Sequence, residues 1–439
     1  MSDNSKTSLY HPDFPKSWDR CKLIEIADWI NGNAFGDDDF TEEGLPIIKI
    51  TEIKEGIRSQ TNCTNKSYDE KYKIRDGDLL FAWSGSPETS IDVFRWNGPE
   101  GWLNQHIFKI ESNDGVNQDF IFYLLKYIKQ NLVEIARNNQ TTGLGHVRKK
   151  DLEQLEVGLP PYSKQLEIVE QLKPLDSKVQ VNNRISRLLG EIVETQFKSW
   201  FVGFEPYDIF VDSELGEIPE NFEVQSLDEV LSFQRGYSYS GDELIDDESD
   251  MDIDEGYPMV NLGNIQPGGG YRHKNMKYCK NIPHERYLVK PGDLVISHTD
   301  MTQDRKILGS PTVVPDLDKE PILFSHHLYA IKDTDLPKEY LYYYFLSPYF
   351  KPKAENFASG TTVLSFSSKI TSDVKIPVPP KDKIEEFTKI ARPIFEKQEV
   401  IRRQNIELEE MRDTLIPRLM SRKVWDENKQ ESTEVASEV

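Results

Sequence analysis

Two stretches of the chain carry apolar residues at three-and-four spacing, and each begins directly after a proline pair, at 160–161 and 379–380. The seam positions are Ile168, Leu172, Leu175, Val179, Ile185, Leu189 and Ile192 in the first stretch, and Ile384, Phe387, Ala391, Ile394, Gln398, Ile401, Asn405, Leu408, Arg412, Leu415 and Leu419 in the second. This pattern is typical of coiled-coil helices. Because proline removes a backbone hydrogen bond, Pro174 and Pro393 predict a short helix, a kink and a long helix in each stretch.

The segments before these helices contain shorter apolar runs that are separated by glycine and proline. Strand-like runs lie at 46–50, 78–83, 106–110, 258–262, 293–297 and 327–331. A helical pattern follows them in each half, at 119–137 and at 338–350. The alternation predicts a mixed α/β globule followed by a helical arm, twice along the chain.

The two halves repeat one plan. LIEIADWINGNAF at 23–35 aligns with LDEVLSFQRGYSY at 227–239, and the GDL motif at Gly77 aligns with the one at Gly292. The order of all matched segments is preserved, and the offset grows only from 204 residues to 219 at the proline pairs. An internal repeat of this kind indicates two domains with the same architecture.

Composition predicts a folded, cytoplasmic protein of several domains. The chain has 439 residues, of which 37% are hydrophobic and 11% aromatic, so it can build sizeable cores. Its apolar runs are shorter than a membrane span, and its first residues lack signal-peptide character. The three cysteines, Cys21, Cys63 and Cys279, are too scattered for a disulfide framework or a zinc site.

The formal charge of −22 argues against nucleic-acid binding when it is averaged over the chain. The distribution weakens this objection, because residues 242–255 hold nine acidic residues and no basic one, and residues 425–439 hold five acidic residues and one lysine. Basic stretches lie at 137–150 and 272–290. We interpret the acidic segments as a solvated loop and tail, and the spacing of the acids in the loop does not match a calcium-binding loop.

Each helical arm has one partner of matching length in the same chain, so we predict that the two arms pair with each other. The residues alone leave the direction open: a parallel pair would bring the globules side by side, and an antiparallel pair would hold them at opposite ends. Asn182, Gln398 and Asn405 lie in the seams and would fix the register, although ordinary surface polar residues at heptad breaks would look the same.

The chain resembles the specificity subunits of type I restriction-modification systems over essentially its whole length. The resemblance is carried by GLPPYSKQLEIVEQL at 158–172, IPVPPKDKIEEFTKI at 376–390, GEIPENFEVQSLDEV at 216–230 and FKSWFVGFEP at 197–206, in duplicated order. One departure is visible. The first helix has Gln165 shortly after its proline pair, as the family does, but the second has Ile384 at the aligned position, so the second helix could contact its partner differently.

The resemblance implies an α/β fold with two target-recognition domains, at 1–158 and 205–377. Two helical regions, at 159–204 and 378–424, would form an antiparallel coiled coil that acts as a ruler, and 425–439 would be a disordered acidic tail. It also implies a host-defence DNA-binding subunit without catalytic residues that reads a two-part double-stranded target. Its partners would be two methyltransferase subunits and, in the larger complex, restriction subunits. S-adenosylmethionine, ATP and magnesium would belong to those partners, and this chain would hold no metal.

Hydroxyl, amide, glycine and basic residues in loops are the candidates for DNA contact, because they can approach phosphates or base edges. The candidates in the first half are Ser84, Gly85, Ser86, Thr89, Arg95, Asn138, Gln140, Thr141, Thr142, His146, Arg148 and Lys149. Those in the second half are Tyr271, Arg272, Lys274, Lys277, His298, Thr299, Gln303, Arg305, Ser359, Gly360, Thr361 and Thr362. Exposed loops and turns without a binding role would select similar residues.

Two other functions stay open on the sequence alone. LPPY at 159–162 is similar to the catalytic motif of adenine methyltransferases, but that chemistry needs a polar first residue and Leu159 cannot accept a hydrogen bond. A fused methyltransferase would bind S-adenosylmethionine itself. A coiled-coil scaffold that joins proteins without reading DNA would show no preference between duplexes.

Overall fold

A computed structural model describes residues 12–58, 61–140, 143–245, 256–273, 276–301 and 304–421. Contacts along the chain divide it into two units. The first unit contains the chain up to Val181 and from Gln404 onward, and the second unit is Asn182–Arg403. Each unit therefore contains one α/β globule and one half of each of the two long helices.

The first half of the chain forms elements in this order: β1 Asp19–Lys22, β2 Ala27–Asn31, β3 Leu45–Ile48, α1 Ile50–Glu55, β4 Cys63–Thr64, β5 Lys73–Ile74, β6 Leu79–Ala82, β7 Ser84–Gly85, α2 Pro87–Ser90, β8 Asp92–Arg95, β9 Gly101–Leu103, β10 Ile107–Ser112, α3 Gln118–Tyr127, α4 Lys129–Asn138, β11 Gly145–His146, α5 Lys149–Leu152, β12 Glu156–Leu159 and α6 Tyr162–Phe201.

The second half follows with β13 Phe210–Ser213, β14 Gly216–Pro219, β15 Glu223–Ser226, α7 Leu227–Val230, β16 Ser232–Arg235, β17 Leu244–Ile245, β18 Tyr257–Val260, β19 Lys277–Cys279, β20 Leu288–Val289, β21 Leu294–Ser297, β22 Thr299–Asp300, β23 Pro311–Val313, β24 Ile322–Phe324, β25 Leu328–Lys332, α8 Lys338–Leu346, α9 Lys351–Phe357, β26 Leu364–Ser365, α10 Ile370–Asp373, β27 Lys375–Val378 and α11 Lys381–Met420.

The repeat appears as a repeated sheet topology. The first globule has an antiparallel sheet in the order β2-β10-β6-β8, and the second has β16-β25-β21-β23. A further sheet lies beside each, β4-β3-β9-β5 in the first and β17-β19-β18-β24-β20 in the second. Strand pairs β1-β12 and β15-β27 close each globule at its proline pair. The predicted mixed α/β architecture, with two similar globules and two long helices, is confirmed.

The two long helices run antiparallel in both units. In the second unit, Gln398 Nε2 donates to the carbonyl oxygen of Ser186 at 2.9 Å, while the rings of Phe201 and Phe387 lie 5.3 Å apart. In the first unit, Arg412 of α11 forms an ion pair with Asp176 of α6 at 2.8 Å. Partner numbers fall on one helix as they rise on the other, which confirms the predicted direction.

The phase of the first seam differs from the prediction beyond Asn182, which is itself buried. Ile185 and Ile192 are 39% and 55% exposed, so their assignment to the seam was wrong. Val193 and Phe197 are buried instead. Three-and-four spacing counted from Asn182 leads to Ser186, Leu189 and Val193, and Gln398 donates to the backbone carbonyl of Ser186.

Neither proline ends its helix. α6 continues through Pro174, and α11 continues through Pro393, so the prediction of a separate short helix in each arm was wrong. Leu172 and Ala391 are fully buried next to these prolines. The packing on both sides stabilises the helix by more than one missing hydrogen bond costs.

The helices inside the globules are shorter than predicted. The pattern at 119–137 forms two helices, α3 and α4, which meet at the buried Ile128 with φ −90° and ψ 12°. The pattern at 338–350 ends at Ser347, the residue before Pro348, because the residue before a proline avoids helical geometry. Residues 348–350 form a turn, and α9 begins after it at Lys351.

Candidate nucleic-acid interface

In the first unit, a short strand pair brings the predicted residues around Ser84 close to those around His146. Strand β7 follows β6 by one residue and pairs with β11, so that Ser84 lies opposite His146. Ser84 Oγ and His146 Nδ1 are 3.0 Å apart, and Val147 donates its backbone N–H to the carbonyl of Trp83. The loop after β6 and the loop before α5 therefore form one surface.

The second unit repeats this arrangement with different side chains. Strand β22 pairs with β26, so that Thr299 lies opposite Ser365. Thr299 Oγ1 is 2.9 Å from Nδ1 of His327, the residue immediately before β25, and Phe366 donates its backbone N–H to the carbonyl of His298. The predicted residues around Thr299 and Ser359 thus lie on one surface, as their counterparts do in the first unit.

Two predicted glycines are required by the backbone at these loops. Gly85 has φ +142°, and a Cβ there would lie 2.5 Å from Cβ of Ser90. Gly360 has φ +140°, and a Cβ there would lie 2.0 Å from the carbonyl oxygen of Val363. Both positions need glycine for the shape of the loop, whether or not a ligand approaches it.

The polar residues of the first surface differ in how they are held. Ser86 precedes α2, and Thr89 is exposed with its carbonyl accepting from Lys54. Asn138 ends α4, and Gln140 Nε2 lies 3.4 Å from the carbonyl of Gly143. These side chains form the exposed rim around the buried Ser84.

Basic residues continue this rim at the start of α5. Arg148 and Lys149 are exposed, as is the neighbouring Lys150. Lys149 Nζ lies 5.9 Å from the ring centroid of Phe108, which is on the inner strand β10. The three consecutive positive charges face solvent beside His146 and could contact phosphates.

Two predicted arginines are engaged inside their own units. Arg95 pairs with Asp119 and lies over the ring of Phe122 at 4.9 Å. Arg305 has φ +58° and donates to the carbonyl of Glu355 on α9 at 2.8 Å. Both bonds hold loops or strands in place, so a DNA contact by either side chain would have to compete with them.

The predicted contact residues at 271–277 of the second unit do not all lie on one surface. Tyr271 packs beside Arg402 of α11, with the guanidinium 6.0 Å from the ring, and Arg272 donates its N–H to the carbonyl of Asn264. Lys277 lies over the ring of Tyr239 at 5.5 Å, and Tyr239 contacts His326. Only Lys277 of these three is thereby connected to the surface around Thr299.

Some predicted residues lie outside the described part of the chain. They are Thr141, Thr142, Lys274 and Gln303, together with residues 246–255 of the acidic run and the acidic tail. Ser359, Gly360, Thr361 and Thr362 are described and exposed, and Ser359 exchanges two backbone hydrogen bonds with Ser365.

Several residues of both surfaces were not identified from the sequence. In the first unit, Trp83 stacks on Phe108 with ring centroids 5.7 Å apart and donates Nε1–H to Asn31 at 2.8 Å. In the second unit, the ring of His326 lies 3.9 Å from the ring of His327, which the sequence placed only in a strand-like run at 327–331. The available signal was the repeat itself, since Asn31 aligns with Arg235, which also lies at the second surface.

The histidines of the second surface are neutral at physiological pH. Burial lowers the pKa of His298 to about 4. Burial, followed by the neighbouring His326, lowers the pKa of His327 to about 4. His298 Nε2 lies 2.7 Å from the carbonyl oxygen of His326 and so carries the proton, because a carbonyl oxygen can only accept.

Within the described ranges, no group of three or more His, Cys, Asp or Glu side chains could hold a metal ion. None of the described helices is long and apolar enough to cross a membrane. The two surfaces present hydrogen-bonding groups, stacked rings and exposed positive charges.

Comparisons with known proteins agree with the duplicated plan. The family model for the type I restriction modification DNA specificity domain matches the chain twice, at residues 15–189 and 219–410. The chain is 25% identical over 427 residues to the type I restriction enzyme MjaVIII specificity subunit of Methanocaldococcus jannaschii, which covers 94% of each chain. It is 24% identical over 408 residues to the HindI specificity subunit of Haemophilus influenzae, covering 80% of this chain and 87% of that one. A crystal structure of the type I S subunit from M. genitalium matches 93% of this chain and 99% of its own length with a TM-score of 0.49 and 14% identity.

Proposed function

This chain belongs to the type I restriction modification DNA specificity family, and from that premise we propose that it reads a two-part DNA target, with one unit for each half-site. The observation that carries the proposal is the duplicated surface built on β7 and β11 in one unit and on β22 and β26 in the other. Equivalent backbone positions carry different side chains in the two units. This is what two domains need if they recognise half-sites of different base sequence.

The chain would act without catalysing a reaction itself. It would position two methyltransferase subunits and, in the larger complex, restriction subunits on the DNA. S-adenosylmethionine, ATP and magnesium would be bound by those partners. The exposed residues Arg148, Lys149 and Lys150 support phosphate contact in the first unit, and the net charge of −22 indicates that the isolated chain binds DNA weakly.

Sequencing of methylated bases in the source genome, with and without the gene for this chain, tests the proposal. We expect one split motif to lose its methylation when the gene is deleted and to regain it when the gene is returned. Loss of no motif, in a strain whose methyltransferase subunit is active, would contradict the proposal.

Two measurements on the purified chain and its complex separate the other functions. A fused methyltransferase would bind S-adenosylmethionine in a calorimetric titration of this chain alone, and we expect no binding. A scaffold would leave the complex unable to prefer one duplex over another at fixed salt, and we expect a clear preference.

A further inference from the structure

The last residue of the first strand in each main sheet holds an equivalent place. Asn31 ends β2 and lies opposite Phe108 of β10, while Arg235 ends β16 and lies opposite Tyr329 of β25. The glycine that follows each of them donates its N–H to the neighbouring strand in the same way, at 3.0 and 3.2 Å. Asn31 and Arg235 are both exposed, so each presents its side chain at the candidate surface of its unit.

The two side chains are fixed by different neighbours. Asn31 Oδ1 accepts from Nε1 of Trp83 at 2.8 Å, which orients the amide and leaves both of its N–H groups for a ligand. Arg235 Nε donates to the carbonyl of His326 at 3.2 Å, and His298 Nε2 donates to the same oxygen. One bond at Nε orients the guanidinium and leaves its two terminal nitrogens as a fork.

Nothing in the described chain neutralises this fork. Among the residues whose placement is described, no carboxylate forms an ion pair with Arg235, and its terminal nitrogens make no hydrogen bond. The nearby imidazoles carry no charge at physiological pH, because burial and the positive charge of Arg235 lower the pKa of His298, His326 and His327. Arg235 is therefore an oriented positive charge with two parallel donors.

A forked pair of donors on an oriented side chain matches one base edge in particular. Guanine presents O6 and N7 side by side in the major groove, and arginine can donate to both. Adenine offers an acceptor beside a donor at the same place, so it satisfies only one arm of the fork.

We propose that Arg235 is a specificity-determining residue that reads a guanine in the half-site of the second unit, an inference that rests on the proposed function. Asn31 holds the equivalent place in the first unit without a fork, so the two half-sites are read there by different chemistry. The surrounding histidines position Arg235 and do not replace it.

Competition binding by the full complex, this chain with its methyltransferase subunits, tests the inference. The duplexes carry the target motif with each base pair replaced in turn, and one more carries 7-deazaguanine, which lacks the N7 acceptor, at each guanine of the second half-site. For the wild-type complex we expect a loss of roughly 10- to 100-fold when the guanine read by Arg235 is replaced. The complex of Arg235→Ala should lose this discrimination at that base pair alone, and the 7-deaza duplex should no longer be distinguished there.

Arg235→Lys and Arg403→Ala complete the experiment. Lysine keeps the charge but lacks the fork, so we expect most of the guanine discrimination to disappear. Arg403 is half-exposed in the same unit and pairs with Asp316 and Asp318, so its variant should keep the wild-type pattern. Thermal unfolding verifies that each variant is folded.

Three results would overturn the inference. They are a uniform weakening of all duplexes by Arg235→Ala, as expected for a phosphate contact, unchanged discrimination at every base pair, or a second half-site without guanine. A wild-type complex that binds all duplexes alike would instead contradict the proposed function, so the two failures are distinguishable.

Discussion

The two units attach the same strand to the same helix by different interactions. In the first unit, Asp92 on β8 forms ion pairs with Lys126 and Lys129 at 2.8 and 2.7 Å, and Arg95 pairs with Asp119. In the second unit, the strand register places Ser310 and Val313 at the positions of Asp92 and Arg95. Val313 packs there against an apolar cluster to which α8 contributes aromatic side chains, Tyr340, Tyr343, Tyr344 and Phe345.

One ion pair is common to both units. Lys173 contacts Asp119 at 2.6 Å, and Arg392 contacts Glu339 at 3.1 Å. Val313 occupies the position of Arg95 in the second unit, so the carboxylate of Glu339 lacks the arginine that Asp119 has in the first. One oxygen of the buried Glu339 accordingly has no hydrogen-bond partner among the described residues. The backbone plan of the repeat therefore tolerates the exchange of a charged network for apolar packing.

The largest difference between the units should follow removal of Asp92. Burial alone would raise the pKa of Asp92, but the charges of Lys126 and Lys129 lower it below the ordinary value. Asp92→Ala would leave the ammonium groups of Lys126 and Lys129 without their carboxylate in a partly buried site, at a cost of about 3 kcal/mol, the lower end of the range for a buried pair. We expect a clear drop in the urea midpoint of the full-length chain.

Ser310→Ala is the matched control at the equivalent position of the second unit. The Ser310 hydroxyl accepts from the N–H of Gly268 at 3.2 Å and donates to the carbonyl of Lys306 at 3.4 Å. Both partners are neutral, so the expected loss is about 1 kcal/mol. Equal losses for the two variants would show that the charged network is not what stabilises the first unit.

The next largest effect concerns the position shortly after each proline pair, where the first long helix has Gln165 and the second has Ile384. Gln165 is buried and bonds to the carbonyls of Pro160 and Gly115 and to the N–H of Asn117. Gln165→Leu would leave these groups unsatisfied and should cost about 2 to 3 kcal/mol. Ile384→Leu, which replaces one buried apolar side chain by another, should change the urea midpoint little; a midpoint shift larger than that of Gln165→Leu would refute the expectation.

The second unit should be the more sensitive to acid. The folded-state pKa of His298, about 4, lies below its ordinary value of 6.5, so the unfolded chain binds more protons between these values. Stability should therefore fall as the pH drops through 6.5 towards 4, by about 2 kcal/mol at pH 5 for this histidine. His298→Gln keeps a donor for the His326 carbonyl and cannot titrate in this range.

Urea unfolding of wild type and variant at pH 7.5 and pH 5.0 measures this difference. The variant should lose less stability on acidification than the wild type. The same loss in both proteins would mean that other groups carry the acid sensitivity.

The smallest expected effect is on the salt dependence of DNA binding, because the two units differ in the number of basic residues that could contact phosphates. Replacing Arg148, Lys149 and Lys150 by glutamine should weaken DNA binding by the complex about equally for all sequences and reduce the salt slope by roughly 1 for each phosphate that is no longer neutralised. The equivalent residues in the second unit are Ser367, Ser368 and Lys369, and Lys369→Gln should reduce the slope by at most about 1. Titrations at several salt concentrations with target and unrelated duplexes measure both. A change confined to the target duplex would contradict the phosphate role.

The order of apolar and polar segments along the chain predicted the fold well, but it identified only some of the residues that form the candidate surface. The repeat predicted two like globules, and the predicted strands lie within a few residues of β3, β6, β10, β18, β21 and β25. The hydroxyl groups of Ser84 and Thr299 were identified because they follow these strands directly. Arg235 and Asn31 were missed, since a lone polar residue at the end of a strand looks the same whether it faces a ligand or only solvent.

What the sequence alone determined was the periodicity: where strands and helices form, that the plan is duplicated, and that two long helices pair. Periodicity is a local property, because burial of one face of a strand or helix needs only the alternation of its own residues. The tertiary structure decided which face of α6 is buried, that Pro174 and Pro393 stay inside helices, and that Arg95 pairs with Asp119. These outcomes depend on contacts between residues that are distant in the chain. The packing and charge interactions of those residues form only in the folded protein, where they override the local preference of each segment.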